Sequence, residues 1–283
     1  RLAVLGGGYI ATELGNVFGM LGSEVTFIVR SDAMLRNEDE AISAAFTDAY
    51  KQKFDIRFMS GVTAVRREGD EIVLDLFPSH EELRVDEVLV ATGRVPNGDQ
   101  LNLAAHGFAL DEKGYLITDS NLLTNIDGVF ALGDVTNPVQ LKHVANHEAK
   151  VVRHNLANPD SMIEVNHEFI PHAVFGHPQV ASVGMTERDA ITAGLDVTCH
   201  VQHYGSAAYG WAMEDTTSIV KLVMDSGSRR LLGAHICGPQ ASTLIQQLIQ
   251  GMVFGQTVDQ MAAGQYYIHP ALPEVIEQAL LEL

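Results

Sequence analysis

The sequence predicts an α/β fold, and two regions carry that prediction. Near the N-terminus, a short apolar run at residues 2–5 is followed by a glycine-rich turn, an amphipathic stretch and a second apolar run at residues 25–29. Near the C-terminus, alternating runs at residues 218–225 and 231–237 precede an apolar stretch at residues 241–254. Strands that alternate with helices indicate a parallel βαβ unit in the first region, and paired strands followed by helices indicate an α+β unit in the last.

Composition is that of an ordinary globular protein, and the charge limits its partners. Hydrophobic residues make up 46% of the chain and charged residues 19%, which suits two or three domains. The formal net charge of −18 repels nucleic acid and anionic membrane surfaces, so we expect neither as a partner. No apolar run approaches the roughly 20 residues that cross a bilayer, and no signal-peptide pattern is recognisable, so we expect a cytoplasmic protein.

The cysteines and the first residues of the chain add two further expectations. Cys199 and Cys237 lie far apart and in no C-x-x-C arrangement, which is typical of structural thiols in a reducing compartment. The chain opens directly on an apolar strand pattern, without an initiator methionine. We therefore expect it to be a piece of a longer polypeptide.

The glycine-rich turn at residues 6–11 matches the dinucleotide-binding pattern G-x-G-x-x-A. Gly6 permits a tight turn, Gly8 lets a pyrophosphate approach the backbone, and Ala11 lets helix and strand lie close together. Tyr9 and Ile10 begin the helix, which is predicted to end near residue 22. The helix carries four apolar residues on one face: Ile10, Leu14, Phe18 and Leu21. Because strand, motif, helix and strand occur in order, we predict a Rossmann-like dinucleotide-binding unit rather than a chance glycine-rich turn.

The end of the second strand indicates which nicotinamide nucleotide binds. NAD-binding domains usually place Asp or Glu there to bind the ribose 2′-hydroxyl, but this chain has Val29 and Arg30, with Arg36 a little further on. Two guanidinium groups supply planar, multidentate donors to a dianionic 2′-phosphate. We therefore predict NADPH as the preferred nucleotide. The alternative is a pair of solvated surface arginines.

The rest of the first domain, which we place at residues 1–95, is predicted to contain a β-meander. Short alternating runs occur at residues 56–59, 62–65 and 72–76, as expected of antiparallel strands. Residues 85–93 then form an apolar strand that returns to the parallel sheet.

The middle segment, residues 96–168, carries a candidate ligand-binding carboxylate. A predicted buried strand ends in Gly133 and Asp134, which places Asp134 at the edge where α/β sheets bind ligands. Alternatively, Asp134 caps a turn. A helix from residue 141 to about residue 156 follows, and its N-terminus favours negative charge.

Two other features of this segment carry weaker predictions. A hairpin is predicted at residues 107–118, with its turn at residues 111–114. His143 and His147 lie four residues apart on the predicted helix, a spacing shared by some zinc sites. No third ligand with convincing spacing accompanies them, so we predict no metal site.

The last domain, residues 169–283, is predicted to be an α+β unit that ends in a candidate catalytic pair. Pro273 suits the first position of a helix, because it lacks an N–H and its φ is already near the helical value. A turn therefore presents the imidazole of His269, and the next helix begins with the carboxylate of Glu274. A carboxylate beside an imidazole fixes its tautomer, as a general acid–base requires. The alternative is an ordinary His-Pro turn with a solvated glutamate, and His177 precedes a second such proline.

These motifs together resemble the flavin-dependent disulfide reductases, class I of the pyridine nucleotide-disulfide oxidoreductases. The resemblance rests on residues 6–13, the segment at residues 91–97, the run at residues 124–134 and the C-terminal segment at residues 266–274. The Pro-Ala-Leu-Pro-Glu form of the last is similar to the branch that reduces mycothiol disulfide. The resemblance covers essentially the whole chain and implies an NADPH-binding domain, the C-terminal half of an FAD-binding domain and a dimerisation domain.

The resemblance also implies roles for individual residues. His269 and Glu274 would form an acid–base dyad that serves a redox-active cysteine pair in the other subunit of a homodimer. Tyr9 would gate the nicotinamide pocket, and Glu13 would lie beside the flavin; alternatively, Tyr9 is a helix-packing residue and Glu13 a first-turn acid. The other implied cofactor contacts are Gly93, Gly133, Asp134 (to the FAD ribityl chain), Leu141, Lys142 and His143.

The function that follows is the reduction of a small-molecule disulfide by NADPH through FAD, with a redox cysteine pair located outside these residues. Three alternatives remain: a glutathione reductase, a lipoamide dehydrogenase-like enzyme, and a non-catalytic NADPH-binding and dimerisation module. Val29 and Arg30 disfavour a lipoamide dehydrogenase.

Overall fold

The computed structural model describes residues 1–137 and 139–283. The chain divides into two structural units, of which unit 1 comprises Arg1–Thr92 with Pro171–Leu283, and unit 2 comprises Gly93–Ile170. Parallel and antiparallel sheets occur together with helices, as the predicted α/β fold class requires.

Unit 1 begins with a parallel sheet of Rossmann type. Its first elements are β1 (Leu2–Leu5), α1 (Tyr9–Met20), β2 (Val25–Ile28), α2 (Glu40–Lys51) and β3 (Asp55–Arg57). The strand order is β3-β2-β1, and a later strand, Glu87–Val90, pairs with the free side of β1. All neighbours are parallel, which places the carboxyl ends of the strands, and the turn after β1, at one edge of the sheet.

A three-stranded antiparallel sheet follows, formed by β4 (Gly61–Glu68), β5 (Glu71–Phe77) and β6 (Glu82–Val85), and the chain then returns to the parallel sheet as β7 (Glu87–Val90). The predicted meander is confirmed for β4 and β5. The assignment of residues 56–59 to it is wrong, because this segment contributes β3, which pairs in parallel with β2. A short edge strand is exposed on alternate residues in either kind of sheet, so its pattern does not distinguish them.

Helix α1 packs on the sheet through small residues and not through its apolar stripe. The buried residues of α1 are Ala11, Thr12 and Gly15. The residues of the predicted apolar face that are exposed are Leu14, Phe18 and Leu21. A Cβ atom placed on Gly15 would overlap the ring of Phe27, which is fully buried. The helix therefore approaches the sheet more closely than a larger residue would permit.

In its described residues, unit 2 contains one long helix, α3 (Lys142–Ala157), and short 3-10 turns at Asn97–Leu101, Leu103–His106 and Gly133–Val135. The predicted hairpin is present as a tight turn, in which Asp111 Oδ1 accepts hydrogen bonds from the backbone N–H groups of Lys113 and Tyr115. The predicted buried strand before Gly133 is wrong. Among the described residues, an isolated bridge between Phe130 and Leu123 is the only pairing of this segment, and a strand needs a neighbour along its length.

The remainder of unit 1 is an α+β domain. Its elements are β8 (His172–Val174), β9 (Val180–Gly184), α4 (Glu187–Thr192), β10 (Val197–His203), α5 (Ala208–Ala212), β11 (Ile219–Asp225), β12 (Leu231–Cys237), α6 (Ala241–Val253), α7 (Val258–Ala263) and α8 (Pro273–Leu281). The strands form an antiparallel sheet in the order β10-β11-β12-β9-β8. The predicted pairing of β11 with β12 is confirmed, and so is the capping box of Thr257 and Gln260 on α7.

A single apolar core continues from the parallel sheet into the α+β domain. Phe27, Phe46 and Tyr50 are fully buried and belong to the same cluster as Val174 and Val180 of the second sheet. The core therefore joins the two parts of unit 1 through side-chain packing. In the described part of the chain, no helix is both long and apolar enough to cross a membrane.

The close approach of α1 to the sheet predicts a large effect of one methyl group. In Gly15→Ala the new Cβ meets the ring of Phe27, which is held by edge contacts with Tyr50 and Phe54. Overpacking of this kind costs about 1–3 kcal/mol, against a gain of about 1 kcal/mol in helix propensity. We expect a net loss of stability in urea unfolding.

Gly8→Ala is the matched control, because nothing lies within 4 Å of a Cβ at that position. Its unfolding midpoint should stay near that of the wild type. An unchanged midpoint for Gly15→Ala would contradict the packing described for α1.

Candidate functional site

The turn between β1 and α1 has the backbone geometry that a pyrophosphate site requires. Gly6 has φ +132°, and a Cβ on it would lie 2.5 Å from the carbonyl oxygen of Ala91, so only glycine fits. Gly8 is the N-cap of α1, without a side-chain cap, and the space beside its Cα is open. The first N–H groups of a helix have no intrahelical partner and bind anions. The predicted residues Gly6, Gly8, Ile10 and Ala11 thus lie together at an open helix N-terminus.

The loop after β2 presents both predicted arginines to solvent. Arg30 and Arg36 are exposed, and within residues 1–137 and 139–283 neither makes a hydrogen bond or an ion pair. The loop between them is anchored, because Met34 and Leu35 are buried and the N–H of Leu35 donates to the carbonyl oxygen of Gly7 at 2.8 Å. Both guanidinium groups therefore belong to a loop tied directly to the glycine turn, with their donors available.

Tyr9 lies against a buried carboxylate that sequence reasoning missed. Its hydroxyl donates to Glu38 Oε1 at 2.7 Å, and its ring stacks on that of His172 at a centroid distance of 5.3 Å. Glu38 is only 3% exposed and also accepts hydrogen bonds from His172 Nε2 at 2.8 Å and from Ser182 Oγ at 2.6 Å. No local signal could have found this group, because its partners lie far apart in the sequence.

The charge of Glu38 is stabilised in place. Burial alone would raise the pKa of Glu38, but hydrogen bonds from His172, Ser182 and Tyr9 outweigh it, so the pKa lies below its usual range. Burial and the adjacent carboxylate raise the pKa of Tyr9. Tyr9 is therefore a neutral donor to an ionised acceptor, the stronger class of hydrogen bond.

The residue after Glu38 is a second buried acid. Asp39 is 1% exposed, caps α2 through the N–H of Ala41, and pairs with Lys221 Nζ at 2.9 Å. Lys221 also donates to Glu187 Oε2 at 2.5 Å. Asp39 could have been recognised from the sequence as a helix N-cap, but its partner on β11 could not.

Near the C-terminus, His269 and Glu274 form the pair that the sequence predicted. His269 Nδ1 lies 2.7 Å from Glu274 Oε1, and Glu274 Oε2 accepts the backbone N–H of Ala271 at 3.1 Å. Pro273 occupies the first turn of α8, as expected. The hydrogen bonds from His269 and Ala271 hold the pKa of Glu274 below its usual value. An ionised carboxylate only accepts hydrogen bonds, so Nδ1 carries the proton and Nε2 is free to exchange one.

The two side chains of the pair differ in exposure, and the imidazole is the one accessible to a group from another molecule. The side chain of His269 is 68% exposed, whereas that of Glu274 is 16% exposed. The carboxylate is thus shielded and fixed, and the imidazole projects from the surface. The imidazole can therefore accept a proton from, or donate one to, a group on another molecule or subunit.

In unit 2, Asp134 lies on an exposed turn whose backbone is bonded to a side chain of helix α3. Gly133 has φ +77°, and its N–H donates to Oε2 of the fully buried Glu148 at 2.6 Å. The Asp134 carboxylate is half exposed, and Arg94 Nη1 lies 3.6 Å from it. Gly93 has φ +148° with open space around it. The Asp134 carboxylate and the backbone at Gly93 are therefore accessible to a ligand, whereas Gly133 is buried.

No side chain caps the start of α3 among the described residues. Leu141 is the N-cap and provides no side-chain hydrogen bond, and no acid occupies the first turn. Lys142 Nζ donates to Asn146 Oδ1 at 2.6 Å, and His143 lies in the first turn of the helix. Among the residues that the structure describes, no group of three or more metal-ligating side chains occurs.

Neither cysteine is an activated thiol. Burial raises the pKa of Cys199 to about 11 and that of Cys237 to about 12. The two residues lie on β10 and β12, which flank β11 in the sheet. Because the thiolate is the reactive form, these residues are structural.

Glu13, which the family resemblance placed beside a flavin, has a backbone partner here. Its Oε1 accepts the N–H of Phe175 at 2.9 Å. The side chain is partly exposed. It therefore contributes a hydrogen bond between α1 and the segment after β8.

A parallel sheet with an open glycine turn and an α+β domain that presents an imidazole–carboxylate pair thus lie together in unit 1. The family model "Pyridine nucleotide-disulphide oxidoreductase" matches residues 1–149, and the model of its dimerisation domain matches residues 170–280. The chain belongs to the pyridine nucleotide-disulphide oxidoreductase family. Family and fold class are as the sequence predicted.

Similar proteins include a reductase and a dehydrogenase. The chain is 49% identical to a mycothione reductase of Mycobacterium tuberculosis, over 100% of this chain and 62% of that protein. It is 33% identical to a dihydrolipoyl dehydrogenase of Corynebacterium glutamicum, over 99% of this chain and 61% of that protein. The chain thus spans about three fifths of the length of these relatives.

Solved structures show the same fold. The Cu(II) complex of the HOCl-induced flavoprotein disulfide reductase RclA from Escherichia coli superposes with a TM-score of 0.90 at 26% identity, over 100% of this chain and 64% of that one.

The geometry of the dyad predicts the tautomer of His269. NMR that correlates the imidazole nitrogens with the ring protons should show neutral His269 protonated on Nδ1. In Glu274→Ala this preference should be lost, because the acceptor is gone. Glu277→Ala, three residues further along α8, is the control and should leave it unchanged. A neutral wild-type imidazole protonated mainly on Nε2 would contradict the pairing.

Proposed function

We propose that this chain provides the NADPH-binding, partial FAD-binding and dimerisation regions of an NADPH-dependent flavoprotein disulfide reductase that reduces mycothiol disulfide. The observation that carries the proposal is the His269–Glu274 pair, with its partly shielded carboxylate and projecting imidazole. The family and the 49% identity to a mycothione reductase support it. The redox cysteine pair belongs to a region outside this chain, since Cys199 and Cys237 are structural.

NADPH fits the N-terminal turn of unit 1. The pyrophosphate would lie against Gly8 and the first N–H groups of α1, which have no side-chain cap. Arg30 and Arg36 would bind the 2′-phosphate, because both are exposed, unpaired among the described residues and carried by a loop anchored on Gly7. In a chain of net charge −18, these groups supply the positive charge that the dianion needs.

FAD fits the exposed elements of unit 2. Asp134 offers a half-exposed carboxylate to a ribityl hydroxyl, and the open space beside Gly93 allows its backbone to approach a ligand. The N-terminus of α3, at Leu141, Lys142 and His143, would favour negative charge on the ring. When bound, the flavin supplies electron transfer between the nicotinamide and the sulfur pair.

The dyad would control the proton of the disulfide exchange. A thiolate attacks a disulfide, and the thiolate that leaves must be protonated. His269 Nε2 would accept the proton of the attacking thiol, which leaves a thiolate, and would then donate this proton to the leaving sulfur. Glu274 would accept the hydrogen bond from Nδ1–H and so fix the orientation of the ring. The dimerisation domain supports a homodimer, in which the projecting imidazole would serve the sulfur pair of the other subunit.

The arginine pair predicts nucleotide preference. Wild type should bind NADPH more tightly than NADH, and Arg30→Ala should lose about tenfold or more in NADPH affinity, because a charged hydrogen bond contributes about 1.5–3 kcal/mol. Its NADH affinity should barely change. Arg67→Ala removes another exposed arginine, on β4, as the control. Equal wild-type affinities in fluorescence titration would favour a dihydrolipoyl dehydrogenase-like role and contradict the proposal.

The dyad predicts a selective loss in disulfide turnover. In the protein that carries the redox cysteine pair, His269→Ala should reduce mycothiol disulfide turnover about 10²–10⁴-fold, the usual contribution of general acid–base catalysis. Glu274→Gln should lose less, because the imidazole remains with weaker orientation. Stopped-flow measurement should find the rate of reaction with NADPH nearly unchanged in both. An equal loss in the two half-reactions would disprove the assigned role.

A further inference from the structure

Arg36 belongs to a four-residue turn, residues 35–38, which we call the arginine turn. The N–H of Glu38 donates to the carbonyl oxygen of Leu35 at 2.9 Å, so Arg36 and Asn37 are the central residues of the turn. Leu35 is 3% exposed, and its N–H donates to the carbonyl oxygen of Gly7 at 2.8 Å. The first end of the arginine turn is therefore attached to the glycine turn after β1, and the position of Arg36 depends on what holds the other end.

The α+β domain holds the other end of the arginine turn through Glu38. Ser182 on β9 donates its hydroxyl to Glu38 Oε2 at 2.6 Å, and Nε2 of His172 on β8 lies 2.8 Å from Oε1. Ser182 and His172 lie opposite each other in the pairing of β8 with β9. Glu38 is buried, and a buried acceptor that loses a partner is costly. These contacts therefore restrain the end of the turn as well as the side chain.

Asp39 adds a second attachment to the same domain. Lys221 Nζ on β11 lies 2.9 Å from Asp39 Oδ1, and the backbone N–H of Glu187, the first residue of α4, donates to Oδ2 at 3.2 Å. The side chains of Lys221 and Asp39 are 7% and 1% exposed, so solvent screens this ion pair little. Residues 38 and 39 are thus bonded to three strands and one helix of the α+β domain, directly after the central residues of the arginine turn.

Arg30 has a different support. It follows β2, and the preceding residue, Val29, is buried. The N–H of Val29 donates to the carbonyl oxygen of Arg57 at 2.9 Å, and its carbonyl oxygen accepts the N–H of Ser60 at 3.0 Å. The backbone before Arg30 is therefore fixed by its neighbours in the parallel sheet, without the α+β domain. The two arginines proposed for the 2′-phosphate are thus held by different parts of unit 1.

We propose that Glu38 and Asp39 are positioning residues through which the α+β domain fixes Arg36 for the 2′-phosphate of the nucleotide. The inference rests on the proposed nucleotide site. A guanidinium group on a turn that is already ordered spares the ligand the entropy of ordering it. The apparent affinity of a ligand also falls with the fraction of protein in the competent conformation. Release of the arginine turn therefore weakens the binding of NADPH, whereas NADH, which lacks the 2′-phosphate, is little affected.

Ser182→Ala tests the attachment without a change of charge, because it removes one donor to Glu38 and leaves the other hydrogen bonds of that carboxylate in place. We expect this variant of the 283-residue chain to bind NADPH about threefold to tenfold more weakly, the range for one hydrogen bond, and NADH within about twofold of wild type. Calorimetric titration measures both affinities. Ser218→Ala is the matched control, because Ser218 Oγ also donates to a carboxylate of the α+β domain, Asp215 Oδ2, at 2.6 Å. It should leave both affinities unchanged.

Glu38→Gln separates positioning from a simple effect of charge, because the two predict opposite signs. Loss of a negative charge near an anion site strengthens the binding of a phosphate dianion if charge alone matters. Positioning predicts weaker binding of NADPH, in the same direction as Ser182→Ala. Glu40→Gln is the control, since Glu40 is exposed in the first turn of α2. It removes the same charge two residues away and should leave the NADPH affinity equal to that of wild type or slightly higher.

Double variants identify the arginine that is positioned. In an Arg36→Ala background, Ser182→Ala should weaken NADPH binding no further, because the group that it positions is gone. In an Arg30→Ala background, Ser182→Ala should weaken NADPH binding as much as it does in wild type, because the parallel sheet supports Arg30.

The outcomes distinguish this inference from the proposed function. A wild type that prefers NADPH, with Ser182→Ala equal to it, overturns the positioning role and leaves the nucleotide site in place. Equal losses for NADPH and NADH, a further loss in the Arg36→Ala background, or tighter binding of NADPH by Glu38→Gln also overturn that role. A wild type that binds NADPH and NADH equally overturns the 2′-phosphate site and this inference with it.

Discussion

Two adjacent buried carboxylates, Glu38 and Asp39, hold the nucleotide-binding region of unit 1 to its α+β domain. A buried charge is costly unless it is paired and hydrogen-bonded, so each of these acids constrains whatever surrounds it. Glu38 accepts from His172 and Ser182, and Asp39 pairs with Lys221. All three partners lie on strands of the second sheet. Residues 1–92 and 171–283 consequently form one structural unit, although a long segment separates them in the sequence.

This constraint bears directly on both candidate sites. The loop between β2 and α2 carries both the exposed arginines and the two buried acids. Its backbone also forms a hydrogen bond with the glycine turn. The site proposed for the nucleotide is therefore assembled on a loop that the α+β domain anchors. The same domain carries His269 and Glu274 on and before α8. The glycine turn and the His269–Glu274 pair thus lie in one structural unit.

Features whose requirements are local could be predicted from the sequence. The turn needs a positive φ at Gly6 and free space at Gly8, and the spacing of the glycines in the sequence indicates both requirements. The dyad needs a turn and a helix start, which Pro273 and Glu274 encode within a few residues. The Glu38 cluster could not be predicted, because Glu38 and His172 lie 134 residues apart and neither has a distinctive local pattern.

The spacing of apolar residues in the sequence did not predict every contact of the helices and strands. The apolar stripe of α1 predicted a buried face at Leu14 and Phe18, whereas close packing through Gly15 buries the other side. Likewise β3 has the alternation of an antiparallel strand but pairs in parallel at a sheet edge.

The central claim is that the His269–Glu274 pair of one subunit serves the sulfur chemistry of its partner. Mixed dimers test it most directly, in the protein that carries the redox cysteine pair. One subunit carries His269→Ala, and the other has both redox cysteines replaced by serine. If the pair acts across the interface, each mixed dimer keeps one intact site and about half of the wild-type disulfide turnover. Turnover at the level of the two parent variants would show that the pair acts within its own subunit and would contradict the account.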